Sequence, residues 1–288
     1  MRARIAVAAP AKVNLCLHVG DKQANGYHDL QSLVAFVTHE DRLFLELDDD
    51  ISLSVTGPFA PLVPQDSDNL VLRAARRLAE KIGARHSGAR IALEKNIPAV
   101  AGLGGGSADA AAVLRGLVRL WNVDIAQDEL RELAAPIGAD VPVCIGSAAS
   151  WMEGRGERVT WLYPLPSAWL LLVNPGVPVP TAAVFGGLKQ RSGVGLQCPS
   201  TKFADIFALV AYLRSTNNDL EAPARIIAPV IDTVLDDLAG LSNVLLARMS
   251  GSGATCFGIF PNSDDLHSAH RQLKAQHPEW WMAGVQFA

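Results

Sequence analysis

Ile97-Pro98-Ala99-Val100-Ala101-Gly102-Leu103-Gly104-Gly105-Gly106-Ser107-Ala108-Asp109 runs straight into the alanine- and leucine-rich stretch 110–120. Four glycines in five positions remove side chains where backbone N–H groups can close around an anion, and a following helix aims its positive end at the same place. The junction therefore reads as a phosphate cradle opening a helix over 105–120. A flexible turn before a packed helix is the plainer alternative, but the loop's length and its closing hydroxyl, Ser107, favour phosphate. It is not the usual P-loop, which places Lys and Ser/Thr directly after the last glycine. Nor is it a dinucleotide turn, because the preceding strand at 90–94 is separated from Gly102 by residues 95–101, including Pro98, whereas a Rossmann glycine follows its strand at once.

Outward from this junction, the N-terminal residues read as strands at 5–8, 13–19, 30–37 and 43–47, with clean alternation at Ile51, Leu53 and Val55. Asn25-Gly26 marks a turn. Leu70, Ala74, Leu78 and Ile82 form one stripe of a helix over 69–82 closed by Gly83. A helix at 127–137 and a strand-rich stretch at 141–159 follow. The second half predicts strands at 169–173, 245–249, 254–260 and 283–287, and helices at 181–188, 203–213, 228–238 and 264–276. Asn174-Pro175-Gly176 is a turn, and residues 191–201 form a variable loop. Mixed strand and helix order of this kind is α/β or α+β.

The chain has 288 residues, enough for two domains, with 49% hydrophobic residues and a net charge of -4. Its acidity gives no electrostatic case for nucleic acid or an anionic membrane. The four cysteines, Cys16, Cys144, Cys198 and Cys256, follow neither a disulfide nor a zinc spacing, which suits reduced thiols in the cytoplasm. The apolar patch after Arg2 and Arg4 breaks at Pro10 and Lys12, too short for a signal-peptide core, and no membrane-spanning run is present.

Two isolated charges stand out. Lys12, in Pro10-Ala11-Lys12-Val13-Asn14, sits in an apolar strand, and Asp140, in Gly138-Ala139-Asp140-Val141-Pro142, stands between a small-residue turn and a Pro-restricted strand. Lys12 alone reads as an edge-strand lysine reaching into water. Facing Asp140 beside a phosphate loop, it becomes half of a phosphoryl-transfer pair, with the Asp taking or orienting a hydroxyl proton and the Lys holding it ionised. Ser250-Gly251-Ser252-Gly253-Ala254 is either a tight hairpin or a loop on the phosphate side. His28, between Tyr27 and Asp29, either touches a ligand or braces a loop. Neither a G-x-S-x-G elbow nor an H-E-x-x-H pair is present, which excludes those hydrolase and zinc-protease readings.

Pro10-Ala11-Lys12-Val13-Asn14, the stretch from Ile97-Pro98 to Ser107, and Met249-Ser250-Gly251-Ser252-Gly253-Ala254 together resemble the three motifs of the GHMP small-molecule kinases. Asn25-Gly26-Tyr27-His28 with Leu30-Gln31-Ser32-Leu33, the Gly138 to Pro142 motif, and Asn174-Pro175-Gly176 leading to Pro180-Thr181 and Phe185 are similar to the branch acting on a diphosphocytidyl methylerythritol acceptor. The resemblance spans nearly the whole chain apart from 186–203, and Ala101 departs from it where relatives often carry glycine. It implies an α+β fold of two domains, here 1–156 with a mixed sheet and the phosphate-loop helix, and 157–288 with a ferredoxin-like fold. It implies Lys12 and Asp140 as the catalytic pair. It also implies an ATP-binding loop of Pro98, Ala99, Val100, Ala101, Gly102, Leu103, Gly104, Gly105, Gly106, Ser107 and Ala108, with ATP accompanied by Mg2+ and no residue assigned as metal ligand. Asn14, Tyr27, His28, Thr181 and Phe185 are implied to hold the acceptor, the aromatic rings of Tyr27 and Phe185 enclosing the cytosine and His28 reading its edge.

Overall fold

A computed structural model describes residues 4–24, 26–83 and 88–288. Asn25, half of the expected Asn25-Gly26 turn, and Arg2 lie outside the described residues. The chain divides into two compact units, and the division is interleaved rather than a single cut at 156/157. Residues 1–12, 39–99 and 104–147 make the first unit, and residues 13–38, 100–103 and 148–288 the second. The reason is visible in two strands. Strand β1 (Arg4–Asn14) and the 21-residue β3 (His28–Asp48) each pass from one unit to the other along their length.

In the first unit, the second half of β3 pairs antiparallel with β5 (Gly88–Glu94), and β5 pairs in parallel with β4 (Ile51–Thr56), so the sheet is mixed. Helix α1 (Leu70–Ile82) starts where Asn69 Oδ1 accepts the Val71 N–H at 2.8 Å, and it ends at Gly83 in the left-handed conformation. Helix α2 (Gly105–Leu120) packs against α1 and against the six-residue α4 (Val141–Gly146). Gly116 lets α2 lie flush on the sheet: a Cβ there would come within 2.8 Å of Leu45 and 3.0 Å of Val7. The close approach outweighs the roughly 0.5–1 kcal/mol that a mid-helix glycine costs. Helix α3 (Gln127–Ala134) is shorter than the expected 127–137.

The expected strand at the start of 141–159 is instead α4. Pro142 stands in its first turn, where the missing N–H costs nothing, and all five residues from Val141 through Ile145 are buried. A short run buried on every side carries no periodicity, so its β-branched residues pointed to a strand.

The second unit holds β2 (His18–Lys22), the first half of β3, and the hairpin of β6 (Ser150–Gly154) and β7 (Arg158–Trp161), with β3 pairing antiparallel to both β2 and β6. The remainder is an antiparallel sheet of β8 (Trp169–Asn174), β9 (Leu246–Met249), β10 (Cys256–Phe260) and β11 (Trp281–Gln286), in the order β11-β8-β10-β9. Helices α5 (Thr181–Gly186), α6 (Ile206–Arg214), α7 (Glu221–Ile227) and α8 (Val230–Ala239) separate β8 from β9, and α9 (Ser263–Gln276) separates β10 from β11. A 4-1-3-2 strand order with a helical crossover in each half is the ferredoxin-like arrangement. Leu171, Val173, Ile231, Val234, Leu238, Phe260, Leu266 and Leu273 form its core between sheet and helices.

Candidate active site

Lys12 lies near the end of β1 and is 3% exposed, so it does not reach into water from an edge. A buried ammonium needs a partner, and Lys12 Nζ donates to Asp140 Oδ2 at 2.8 Å. Asp140 immediately precedes α4, not a strand, on a turn closed by the Val141 N–H donating to Gly138 O at 3.0 Å. Its side chain is 35% exposed. A buried cation thus holds a carboxylate that remains open on one side, an arrangement suited to meeting an incoming hydroxyl.

The glycine loop sits beside this pair. Gly104 is left-handed at φ 62, and a Cβ on it would lie 2.9 Å from Lys12 Cε, so glycine is required there both by conformation and by space. Its carbonyl accepts the Ala108 N–H at 2.8 Å, which opens α2. Gly102, at φ 74, leaves no room for a side chain: a Cβ would meet Ser250 O at 2.3 Å. Val100 takes φ 52, an unusual conformation for a β-branched residue. Gly105, Gly106 and Ser107 form the first turn of α2, whose N–H groups have no intrahelical partners.

Sequence reasoning missed what supports the loop. Lys95, 2% exposed, donates to Asp41 Oδ2 and, at 2.7 Å, to Asp109 Oδ2. Asp41 Oδ1 also accepts the N–H groups of Asn96 and Ile97, at 2.5 and 2.8 Å. The triad therefore ties β3, the loop entry and the first turns of α2 to one another. Burial pushes the Asp109 carboxyl up to about 8, against the lowering effect of Lys95 and with a further upward push from Asp41. Burial would lower Lys95, but Asp109 and Asp41 outweigh it and hold the ammonium above its ordinary value. Asp109 Oδ1 is buried without a hydrogen-bond partner. One local signal existed: Asp109 is a carboxylate on the buried face of an alanine-rich helix.

The second glycine-rich loop turns the chain from β9 to β10 and also grips the first. Ser250 Oγ donates to Gly102 O at 2.8 Å and accepts the Asn14 N–H at 3.1 Å, while the Thr255 N–H donates to Ala101 O at 3.1 Å. Asn14 Nδ2 donates to Ser32 Oγ at 2.8 Å, and Ser32 Oγ donates to Cys16 O at 2.6 Å. Thr181, the first residue of α5, has its Oγ1 2.8 Å from Ser252 Oγ in the same loop.

The rings that meet are His28 and Phe185, stacked with centroids 5.6 Å apart and planes inclined at 25°. His28 Nδ1 lies 3.1 Å from Gly20 O; a carbonyl only accepts, so Nδ1 carries the proton and Nε2 of the neutral ring is left as an acceptor. Tyr27 is 56% exposed, with the Arg155 guanidinium 5.4 Å from its ring centroid. Tyr27 follows Gly26, whose N–H donates to Gln23 O at 2.9 Å in a turn closed by Gln23 N–H and Tyr27 O at 2.7 Å. Thus Asn14, Tyr27, His28, Thr181 and Phe185 all belong to the second unit, and Lys12, Asp140 and Gly104 through Ala108 to the first.

No helix among the described residues is long and apolar enough to cross a membrane. Among the same residues, no group of three or more His, Cys, Asp or Glu is placed to hold a metal ion.

The family model for the GHMP kinases N terminal domain matches residues 69–147, and that for GHMP kinases C terminal matches 206–279. A Rhodospirillum rubrum protein named 4-diphosphocytidyl-2-C-methyl-D-erythritol kinase is 50% identical over 275 residues, covering 95% of this chain and 90% of its own length. A Parvibaculum lavamentivorans protein of the same name is 45% identical over 98% of both chains. The crystal structure of a 4-(cytidine 5'-diphospho)-2C-methyl-D-erythritol kinase superposes with a TM-score of 0.79 at 34% identity, covering 99% of this chain and 100% of that one.

Proposed function

The chain belongs to the GHMP kinases, and from that premise we propose that it transfers the γ-phosphoryl group of ATP to the 2-hydroxyl of 4-diphosphocytidyl-2-C-methyl-D-erythritol. The observation that carries the reading is the 2.8 Å contact between buried Lys12 and half-open Asp140 beside the glycine loop. Asp140 accepts the proton of the acceptor hydroxyl as its oxygen bonds to the γ-phosphorus, the bridging β–γ P–O bond breaks and ADP leaves. Lys12 keeps Asp140 ionised and offsets charge on the transferring group. Backbone N–H groups of the stretch 98–108 and the N-terminal end of α2 take the ATP phosphates.

Recognition of the cytidine falls to the second unit. Phe185 and Tyr27 supply aromatic faces for the base, His28 Nε2 is an acceptor suited to an exocyclic amine, and Asn14 and Thr181 supply polar contacts. Mg2+ is satisfied mostly by phosphate oxygens and water, so the donor set here fits it through the single Ser107 hydroxyl in the first turn of α2. Bound there, the ion would neutralise phosphate charge. The reading places the enzyme in the cytoplasm, consistent with four free thiols.

A coupled ADP-release assay offering diphosphocytidyl methylerythritol, homoserine, mevalonate and galactose tests the assignment, with turnover expected on the first alone. Since base stacking is worth about 1–3 kcal/mol, Phe185→Ala should raise KM for that acceptor roughly 5- to 150-fold and leave KM for ATP unchanged. Turnover of a small acceptor instead, with Phe185→Ala silent, overturns the cytidine reading.

A further inference from the structure

Helix α4 has only six residues, so the carbonyls at its end have no intrahelical partners and must be met from elsewhere. A side chain from another helix meets them. Arg115, projecting from the middle of α2, donates from Nη1 to Cys144 O at 2.7 Å and to Ile145 O at 3.4 Å. Its other terminal nitrogen, Nη2, donates to Ala8 O at 2.7 Å. Cys144 and Ile145 lie about one turn along α4 from Asp140, and Ala8 lies four residues along β1 from Lys12, about 13 Å of strand. Ser147 Oγ also donates to Cys144 O, at 2.9 Å, so capping alone does not require the arginine. The contact that a cap does not explain is the one to β1.

We propose that Arg115 is a positioning residue for phosphoryl transfer: its planar fork fastens the strand carrying Lys12 and the helix carrying Asp140 to one rigid point on α2, and so sets the distance and angle at which the pair meets. Three features support this. The two terminal nitrogens are bound to two different backbone segments, which a guanidinium can do and an ammonium on a single flexible stem does poorly. Arg115 is held within α2, the helix whose first turn opens from the glycine loop, so the fork references the pair to that loop. The cation stands at the carbonyl end of α4, where a positive charge is favoured, and the opposite end of the helix carries Asp140. The proposal rests on Lys12 and Asp140 being the catalytic pair.

The test combines steady-state kinetics with a double-mutant cycle, using Arg115→Met, Arg115→Lys, Asp140→Asn and the double variant Arg115→Met/Asp140→Asn. Because a misplacement of about 1 Å can cost about 100-fold, Arg115→Met is expected to lower kcat about 10- to 100-fold while KM for ATP and for the acceptor stays within about twofold. On the Asp140→Asn background the same change is expected to cost about twofold or less, since there is no longer a carboxylate to aim. Arg115→Lys, which keeps the charge but loses the fork, is expected to fall between wild type and Arg115→Met. An unchanged kcat in folded Arg115→Met, or an equal loss on both backgrounds, overturns the proposal in favour of a purely stabilising role. If Arg115→Met does not fold, Arg115→Lys carries the same readouts, and full kcat in that variant overturns it. Failure of the underlying reading looks different: Asp140→Asn would then turn over normally, whatever Arg115 does.

Discussion

Lys12 and Lys95 are both almost fully buried lysines in the first unit, 3% and 2% exposed, yet they are finished in opposite ways. Lys95 is clamped between two carboxylates that are themselves shut away from solvent, and the same Asp41 is used again by two backbone N–H groups. Lys12 is matched with Asp140, whose side chain is 35% exposed. A buried cation whose partners are also sealed can do little but hold chain segments together. A buried cation whose partner faces water leaves a carboxylate oxygen open to whatever arrives. The contrast supports the proposed division between a structural charge and a chemical one without reference to any relative, and it can be attacked from both sides.

The largest effect is expected on the open side. Asp140→Asn keeps the shape and removes the proposed proton acceptor, and should lower kcat by roughly 10²- to 10⁴-fold, about 2.7–5.5 kcal/mol, with a small change in acceptor affinity. Lys12→Met should lose a comparable factor, and the double variant much less than the product of the two. Near-normal turnover in either single variant, measured by ADP release, would erase the distinction. On the sealed side, Lys95→Met leaves buried Asp41 and Asp109 without their cation and should cost about 3–5 kcal/mol of stability, read as a shift in urea midpoint. A loss under about 1 kcal/mol would mean that the triad is not the clamp its geometry describes.

The last effect, spread over several pH units, sharpens the contrast through titration. A carboxyl raised to about 8 in the folded protein holds a proton that the unfolded chain has already released. The stability it contributes is full below pH 3.8, its ordinary value, and is lost as pH climbs to about 8. The slope is up to about 1.4 kcal/mol per unit. Asp109→Asn cannot titrate, so its Tm should fall less steeply than that of the wild type between pH 5 and 8. Parallel curves would show that Asp109 is ionised throughout.

Much of this was legible in the chain. The boundaries of α2 and the caps of α1 follow from glycine, asparagine and periodicity alone, whereas two isolated charges left open whether Lys12 and Asp140 meet, and it was the resemblance to the GHMP kinases that implied the pair which the structure joins at 2.8 Å. What was not legible depended on distant partners. β3 reads as two strands, 30–37 and 43–47, because His39-Glu40-Asp41-Arg42 looks like a polar break; it is one strand, and Asp41 is polar because Lys95 and the loop entry require it. No element was assigned over α7, where Pro223 suggests a break, although it falls in the first turn and is tolerated there. The expected division at 156/157 took one domain to end before the next begins, whereas the two compact units interleave along β1 and β3. Arg115 was invisible because its acceptors are backbone carbonyls, which every residue type carries equally.

The shared strands also bear on how the protein is made. Every residue of the first unit has been synthesised once Ser147 is in place, whereas the second unit, although it borrows residues 13–38, must wait for Ala288. Since chains begin to fold during synthesis, the half with α2 and the buried triad is positioned to form on the ribosome while residues 13–38 still await their partners beyond residue 148. Stalled nascent chains treated with protease should show this order, with the first unit protected earlier and residues 13–38 fully protected only once the second unit is complete.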